Sequence, residues 1–158
     1  MTGMCVYTLT TMPEQSTPEF EIRRATIGDR DAVWPLVQEL PGEAPTRDEF
    51  NQSFGRLTSA LGTYLVVAEH PSEGIVGHLL AGHQRTLGAG GDLVRIEEVA
   101  VLPHLRRRGV ATALVRAGET WARSTGASRL GLVAHDGGDL YGALGYSADA
   151  TYFSRVLD

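Results

Sequence analysis

The stretch that decides the fold is Leu93-Val94-Arg95-Ile96-Glu97-Glu98-Val99-Ala100-Val101-Leu102-Pro103-His104-Leu105-Arg106-Arg107-Arg108-Gly109-Val110-Ala111. Its first half is an apolar run broken by two acids, the pattern of a central strand. Pro103 ends that strand, a basic loop closing on Gly109 follows, and Val110, Leu114, Ala117 and Trp121 then recur at helical spacing. Amide N–H groups at a helix start point outward with a partial positive charge and bind phosphate. Three consecutive arginines beside them add forked donors matched to phosphate oxygens. A glycine where the chain must pass close to a phosphate leaves room that a side chain would block. Read alone, a triple arginine is usually a solvated surface; the strand before it and the helix after it point instead to a phosphorylated cofactor.

Outward from this loop, the chain alternates strand and helix signals. Residues 1–18 read as a flexible leader and residues 19–158 as a single domain. Phe20 to Arg24 is a short strand. Asp29 can cap a helix to about Leu40, with Pro35 kinking it or delaying its start. Thr46-x-x-Glu49 forms a capping box for a second helix to about Leu61. Thr63 to Glu69 and Ile75 to Gln84 form a hairpin across Pro71–Gly74. After the helix from Gly109 to Gly126, a strand at 129–134, a short helix at 139–144 and a strand at 152–157 complete the pattern. The order describes an α/β (α+β) domain with a mixed sheet, in which 93–134 is a strand–helix–strand unit with parallel strands.

Composition narrows the function. The 158 residues are 42% apolar and carry a net charge of −5, which argues against general nucleic-acid binding. All 14 basic side chains are arginine, which excludes a Schiff-base lysine and the lysine of a P-loop. The single cysteine, Cys5, fits a reducing cytoplasmic compartment, and no run approaches the length of a membrane span. The five histidines lack metal-ligand spacing, so no metal is expected.

Arg106-x-x-Gly109-x-Ala111, directly after Val99-Ala100-Val101-Leu102-Pro103, resembles the acyl-CoA loop of the GNAT superfamily of N-acetyltransferases. Leu140-Tyr141-Gly142-Ala143-Leu144-Gly145-Tyr146 is similar to the motif that closes that domain, and Ile22-Arg23-Arg24-Ala25-Thr26-x-x-Asp29 to its opening. The likeness runs from about residue 20 to the end. Ala111 replaces the commoner glycine, a departure small enough to accommodate.

The resemblance implies a mixed six- to seven-stranded sheet flanked by about four helices, and acetyl-CoA as co-substrate. The strands at 93–101 and 129–134 would splay apart to admit the pantetheine arm. Val99, Ala100 and Val101 would then bind that arm, and Arg106, Arg107, Arg108, Gly109, Val110, Ala111 and Thr112 would hold the pyrophosphate. Tyr141 would serve the departing thiolate as proton donor. It also implies a small amine acceptor (an aminosugar, a polyamine or an amino-acid derivative), attacked directly in a ternary complex, and allows a homodimer.

The residues add candidates of their own. Acids in a central strand are costly unless paired, hydrated or lining a cleft. Glu97, taken to share a face with Val99 and Val101, is favoured over Glu98 as base or as anchor for a cationic acceptor; the alternative is an ion pair of either acid with Arg95 or Arg129. His83 and His135 end strands where an acceptor could enter. Trp34, Phe50 and Tyr152 could line its pocket, although core packing explains the first two equally well. Protein N-terminal or lysine acetylation, a non-catalytic acyl-CoA-binding regulator, and a phosphate-binding module unrelated to CoA are the competing readings.

Overall fold

The computed structural model describes residues 19–88, 90–135 and 138–157. The leader expected at residues 1–18, with Cys5, lies outside them.

Five strands make one mixed sheet in the order β1-β2-β3-β4-β5: β1 Glu21–Arg24, β2 Thr63–His70, β3 Gly74–Gln84, β4 Leu93–Val101 and β5 Arg129–Leu132. All neighbours are antiparallel except β4 and β5, which run parallel, joined through α3 Val110–Ser124. Two helices, α1 Arg30–Val37 and α2 Arg47–Ser59, connect β1 to β2, and α4 Gly138–Ala143 follows β5. The mixed α/β class and the four helices match the sequence reading; the strand count is five where six to seven were expected.

Each face of the sheet has its own core. On one, Leu79, Ala81, Val94, Ile96 and Val101 pack with Val110, Leu114, Val115 and Ala122 of α3. The buried stripe of α3 runs through Val110, Leu114, Gly118 and Ala122, with Trp121 at its edge stacked 5.0 Å from Tyr64. On the other, Val33, Phe50 and Phe54 from α1 and α2 cover Leu65, Val67 and Leu80. α2 begins as the sequence indicates: the Thr46 amide donates to Glu49 Oε2 at 2.8 Å and the Glu49 amide to Thr46 Oγ1 at 3.3 Å.

Asp29 does more than cap a helix. It ends a short 3₁₀ turn at Ile27–Asp29 and accepts two hydrogen bonds from the Arg23 guanidinium, each 2.8 Å, and one from the Thr26 amide at 2.7 Å. Those donors hold the buried carboxyl down to about 2, Arg23 contributing most. The same arginine donates to Glu69, tying β1, β2 and the entry to α1 together.

Two expectations fail. β5 stops at Leu132 instead of Ala134. Residues 152–157 form no strand: Tyr152 is 63% exposed and Phe153 87%. Their alternation defines two faces but supplies no neighbour, and an isolated strand has no partner for its backbone groups.

Candidate active site

The parallel pairing of β4 with β5 covers only four positions, from Leu93 opposite Arg129 to Ile96 opposite Leu132. Beyond them β4 continues alone to Val101, while the chain after Leu132 leaves regular structure. The gap opens into a cleft of about 1010 Å³. Val99, Ala100 and Val101 form one wall, Val133, Ala134 and His135 the opposite one, and Tyr141 stands at the α4 side.

At the end of β4, Pro103–Leu105 makes a 3₁₀ turn and the arginine loop folds back. Arg106 Nε donates to the Val101 carbonyl at 3.1 Å and Nη2 to Glu39 at 3.2 Å, which pins the loop to the strand end. Arg107 takes φ 64°, in the left-handed region that non-glycine residues seldom occupy. Gly109 follows at φ 84° as the N-cap of α3, and a Cβ built there meets nothing within 4 Å. The first intrahelical bond runs from the Ala113 amide to the Gly109 carbonyl, 3.0 Å. The amides of Val110, Ala111 and Thr112 precede it, so they are donors without helical partners beside the cleft. Arg106, Arg107, Gly109, Val110, Ala111 and Thr112 all border the cleft; Arg108 is exposed and outside its wall.

Glu39, Glu43, Glu97, Glu98 and Asp139 also line the cleft. Here the assignment of faces needs correction. Leu80 pairs with Glu98 and Ala81 with Ile96, so Glu97 is the extra residue of a β-bulge. Ile96 and Val99 both pack with the α3-side core, and the two acids between them both lie off that side. Glu97 therefore does not share a face with Val99 and Val101. Its carboxylate accepts from Arg95 Nε at 2.8 Å, the ion pair named as the alternative.

Glu98 faces α1 and α2 beside a residue not singled out from sequence. His78 on β3 is 1% exposed, and its Nε2 lies 3.2 Å from Glu98 Oε2. An ionised carboxylate only accepts, so this contact places the ring hydrogen on Nε2. Nδ1 has no partner among the described residues. The readable signal was a histidine inside the apolar stretch Ile75 to Ala81, where a buried polar ring needs a reason.

Tyr141 is half-buried against the α3-side core, with its ring 6.0 Å from Tyr146 in an edge contact. Burial pushes its phenol above 10, so it is protonated throughout the neutral range. Tyr146 packs against the same core and donates a hydrogen bond from its hydroxyl to Glu119 at 3.1 Å. The acceptor candidates scatter. His135 lines the cleft. His83 Nε2 lies 3.0 Å from Asp92, outside the cleft wall. Trp34 and Phe50 pack on each other at 5.0 Å in the α1–α2 core. Tyr152 lies outside the cleft wall. No group of three His, Cys, Asp or Glu among the described residues could hold a metal, and no described helix is long and apolar enough to cross a membrane.

A β4 edge freed by splaying, followed by partnerless amides at a helix start, defines an acyl-CoA-binding fold. Residues 30–146 match the family model described as the acetyltransferase (GNAT) family, and the chain belongs to that family. It is an acetyltransferase whose co-substrate is acetyl-CoA. Solved structures share the fold. A transcriptional regulator from Bacillus halodurans C-125 aligns with a TM-score of 0.78 at 21% identity, over 87% of this chain and 99% of that one. Glucosamine-6-phosphate N-acetyltransferase from Arabidopsis thaliana aligns at 0.77 and 21%, over 88% and 99%. The aminoglycoside N-acetyltransferase AAC(6')-Iy in complex with CoA aligns at 0.76 and 21%, over 92% and 98%. No curated protein matches the sequence significantly.

Proposed function

We propose that the protein transfers the acetyl group of acetyl-CoA to a primary amine of a small molecule by direct attack in a ternary complex. One observation carries the reading: a single cleft joins the freed β4 edge and the bare amides of α3 to carboxylates in the same wall, among them Glu98 of β4. The edge and the amides suit a thioester on a phosphorylated carrier, and the carboxylates a cation. The glucosamine-6-phosphate and aminoglycoside N-acetyltransferases that share the fold act on amines by their names.

The steps divide among the residues of the chain. The amines in view are protonated near neutrality, so one proton must leave before attack. Glu98 lines the cleft and accepts it, directly or through water. The neutral nitrogen adds to the thioester carbon; the Val99 amide, assigned by family resemblance, donates to the oxyanion. Collapse breaks the carbon–sulfur bond and leaves a thiolate. A phenol above 10 cannot give its proton fully to a thiolate whose conjugate acid lies near ~8.5. Tyr141 therefore stabilises the thiolate by a hydrogen bond, and solvent completes the protonation. No step uses a covalent acyl-enzyme, and none calls on the exposed His104, whose ring pairs with Glu73 at 2.5 Å.

The test is free-thiol release with acetyl-CoA and a panel of primary amines. Acetyl-CoA-dependent thiol release that requires one of the amines supports the proposal. Coenzyme binding with no turnover on small amines, but turnover on peptides, would replace it with protein acetylation. Binding with turnover on neither would replace it with a non-catalytic regulator. Size-exclusion chromatography with light scattering tests the homodimer that belongs to the same proposal.

A further inference from the structure

A second cavity, of about 250 Å³, lies between α2 and the sheet and shares Val37, Pro45 and Glu98 with the main cleft as walls. Most of its lining is apolar: Val33, Phe50, Phe54, Leu57, Leu65 and Leu80. Its polar side chains are Glu49, Ser53, His78 and Glu98. Glu49 is committed to the Thr46 capping box, so the charge left to meet a ligand is Glu98, held by the buried His78.

We infer that this cavity is the acceptor subsite. The proposed acceptor is therefore a primary amine on a compact apolar body, aryl or branched alkyl; this refines the proposed transfer to small amines and rests on it. The amino group sits against Glu98, at the mouth shared with the cleft, and the apolar body lies inward against Phe50, Phe54 and Leu80. An apolar cavity of roughly 150 Å³ is enough to take a benzene molecule, so the space here admits a ring with a short side arm. Polyhydroxylated aminosugars fit this lining poorly. Each hydroxyl would need a partner, and only Ser53 and the His78–Glu98 pair are at hand. A polyamine would leave its second ammonium among phenylalanines. In this arrangement His78 is a positioning residue. It orients Glu98 from the side away from solvent and touches no reacting atom.

The test separates this inference from the acetyltransferase reading by measuring binding and turnover independently. Phenethylamine, glucosamine and spermidine are each titrated calorimetrically into the protein, with and without CoA, and assayed for thiol release with acetyl-CoA. Phenethylamine should bind saturably and show a kcat/KM at least tenfold above the other two. Ser53→Phe, which fills the cavity from α2, should weaken phenethylamine at least tenfold and leave the acetyl-CoA Kd within twofold. Leu57→Trp provides the same block from the next turn should Ser53→Phe melt early. Phenethylamine binding without turnover on any amine keeps the subsite and removes the transfer reaction. Turnover that favours glucosamine or spermidine, or a phenethylamine affinity unmoved by both variants, overturns the subsite and leaves the transfer reaction standing.

Discussion

Gly109 allows the phosphate site to be tested with two variants that share one strain and differ in one charge. The residue sits at φ 84°, and a Cβ there meets nothing within 4 Å. Any L side chain pays the left-handed penalty of about 1–2 kcal/mol. In a domain of this size, that lowers Tm by several degrees for Gly109→Ala and Gly109→Glu alike. Without a neighbour to strike, alanine should change the acetyl-CoA Kd by no more than about threefold.

Glutamate also brings a negative charge to the start of α3, where the amides of Val110, Ala111 and Thr112 stand ready for a diphosphate. At about 5 Å and an effective dielectric near 20, one unit of like charge costs ~3 kcal/mol, and salt reduces this to about 1–2. The Kd for acetyl-CoA should therefore rise about 5- to 30-fold for glutamate beyond the alanine effect, and the ratio should shrink as salt is added. Isothermal titration at low and high ionic strength reads it. Equal losses for the two variants would mean that backbone disturbance, not charge beside a phosphate, controls binding. A glutamate variant that binds like the wild type would remove the loop from the site.

Three further outcomes follow from the same geometry. Tyr141→Phe, which removes the hydrogen bond to the departing thiolate, should lower kcat by roughly 10²-fold with little change in the acetyl-CoA Kd; near-normal turnover would take the phenol out of the reaction. Glu98→Gln should lower kcat/KM for the amine by a similar factor, whereas Glu97→Gln, whose carboxylate is bound to Arg95, should stay within about threefold; the reverse ranking would return the base to Glu97. Asp29 is held down to about 2 by Arg23, so its contribution to stability is complete above pH 4 and drains away as pH falls from about 4 to about 2. The loss is about 2 kcal/mol; urea melts across that range should show it in the wild type and a shallower slope in Asp29→Asn.

The parts of the fold that local pattern controls were legible. The β4 run, the proline stop, the glycine before α3 and the amphipathic α3 each follow from residues within one element, as does the Thr46–Glu49 box. Pairings between elements were not. The bulge at Glu97 depends on β3 supplying one residue fewer, which the alternation along β4 cannot show, and it took Glu97 off the face of Val99. His78 sits two strands' worth of sequence away from Glu98, and nothing in either strand alone announces the contact. Tyr152 to Leu157 has the alternation of a strand, yet a strand exists only where a neighbour offers its backbone. Two of the acceptor candidates are drawn elsewhere for the same reason: His83, expected at a strand end, to Asp92, and Trp34, on α1, to Phe50.

The central claim is that the turn from β4 into α3 holds the coenzyme's diphosphate. Acetyl-CoA and acetyl-pantetheine, which carries the same thioester and arm but no diphosphate, are titrated side by side into the wild-type protein. Two charge-assisted contacts at about 1.5–3 kcal/mol each predict saturable acetyl-CoA binding at least 100-fold tighter than acetyl-pantetheine. Equal affinities for the two, or no saturation with acetyl-CoA, would contradict it.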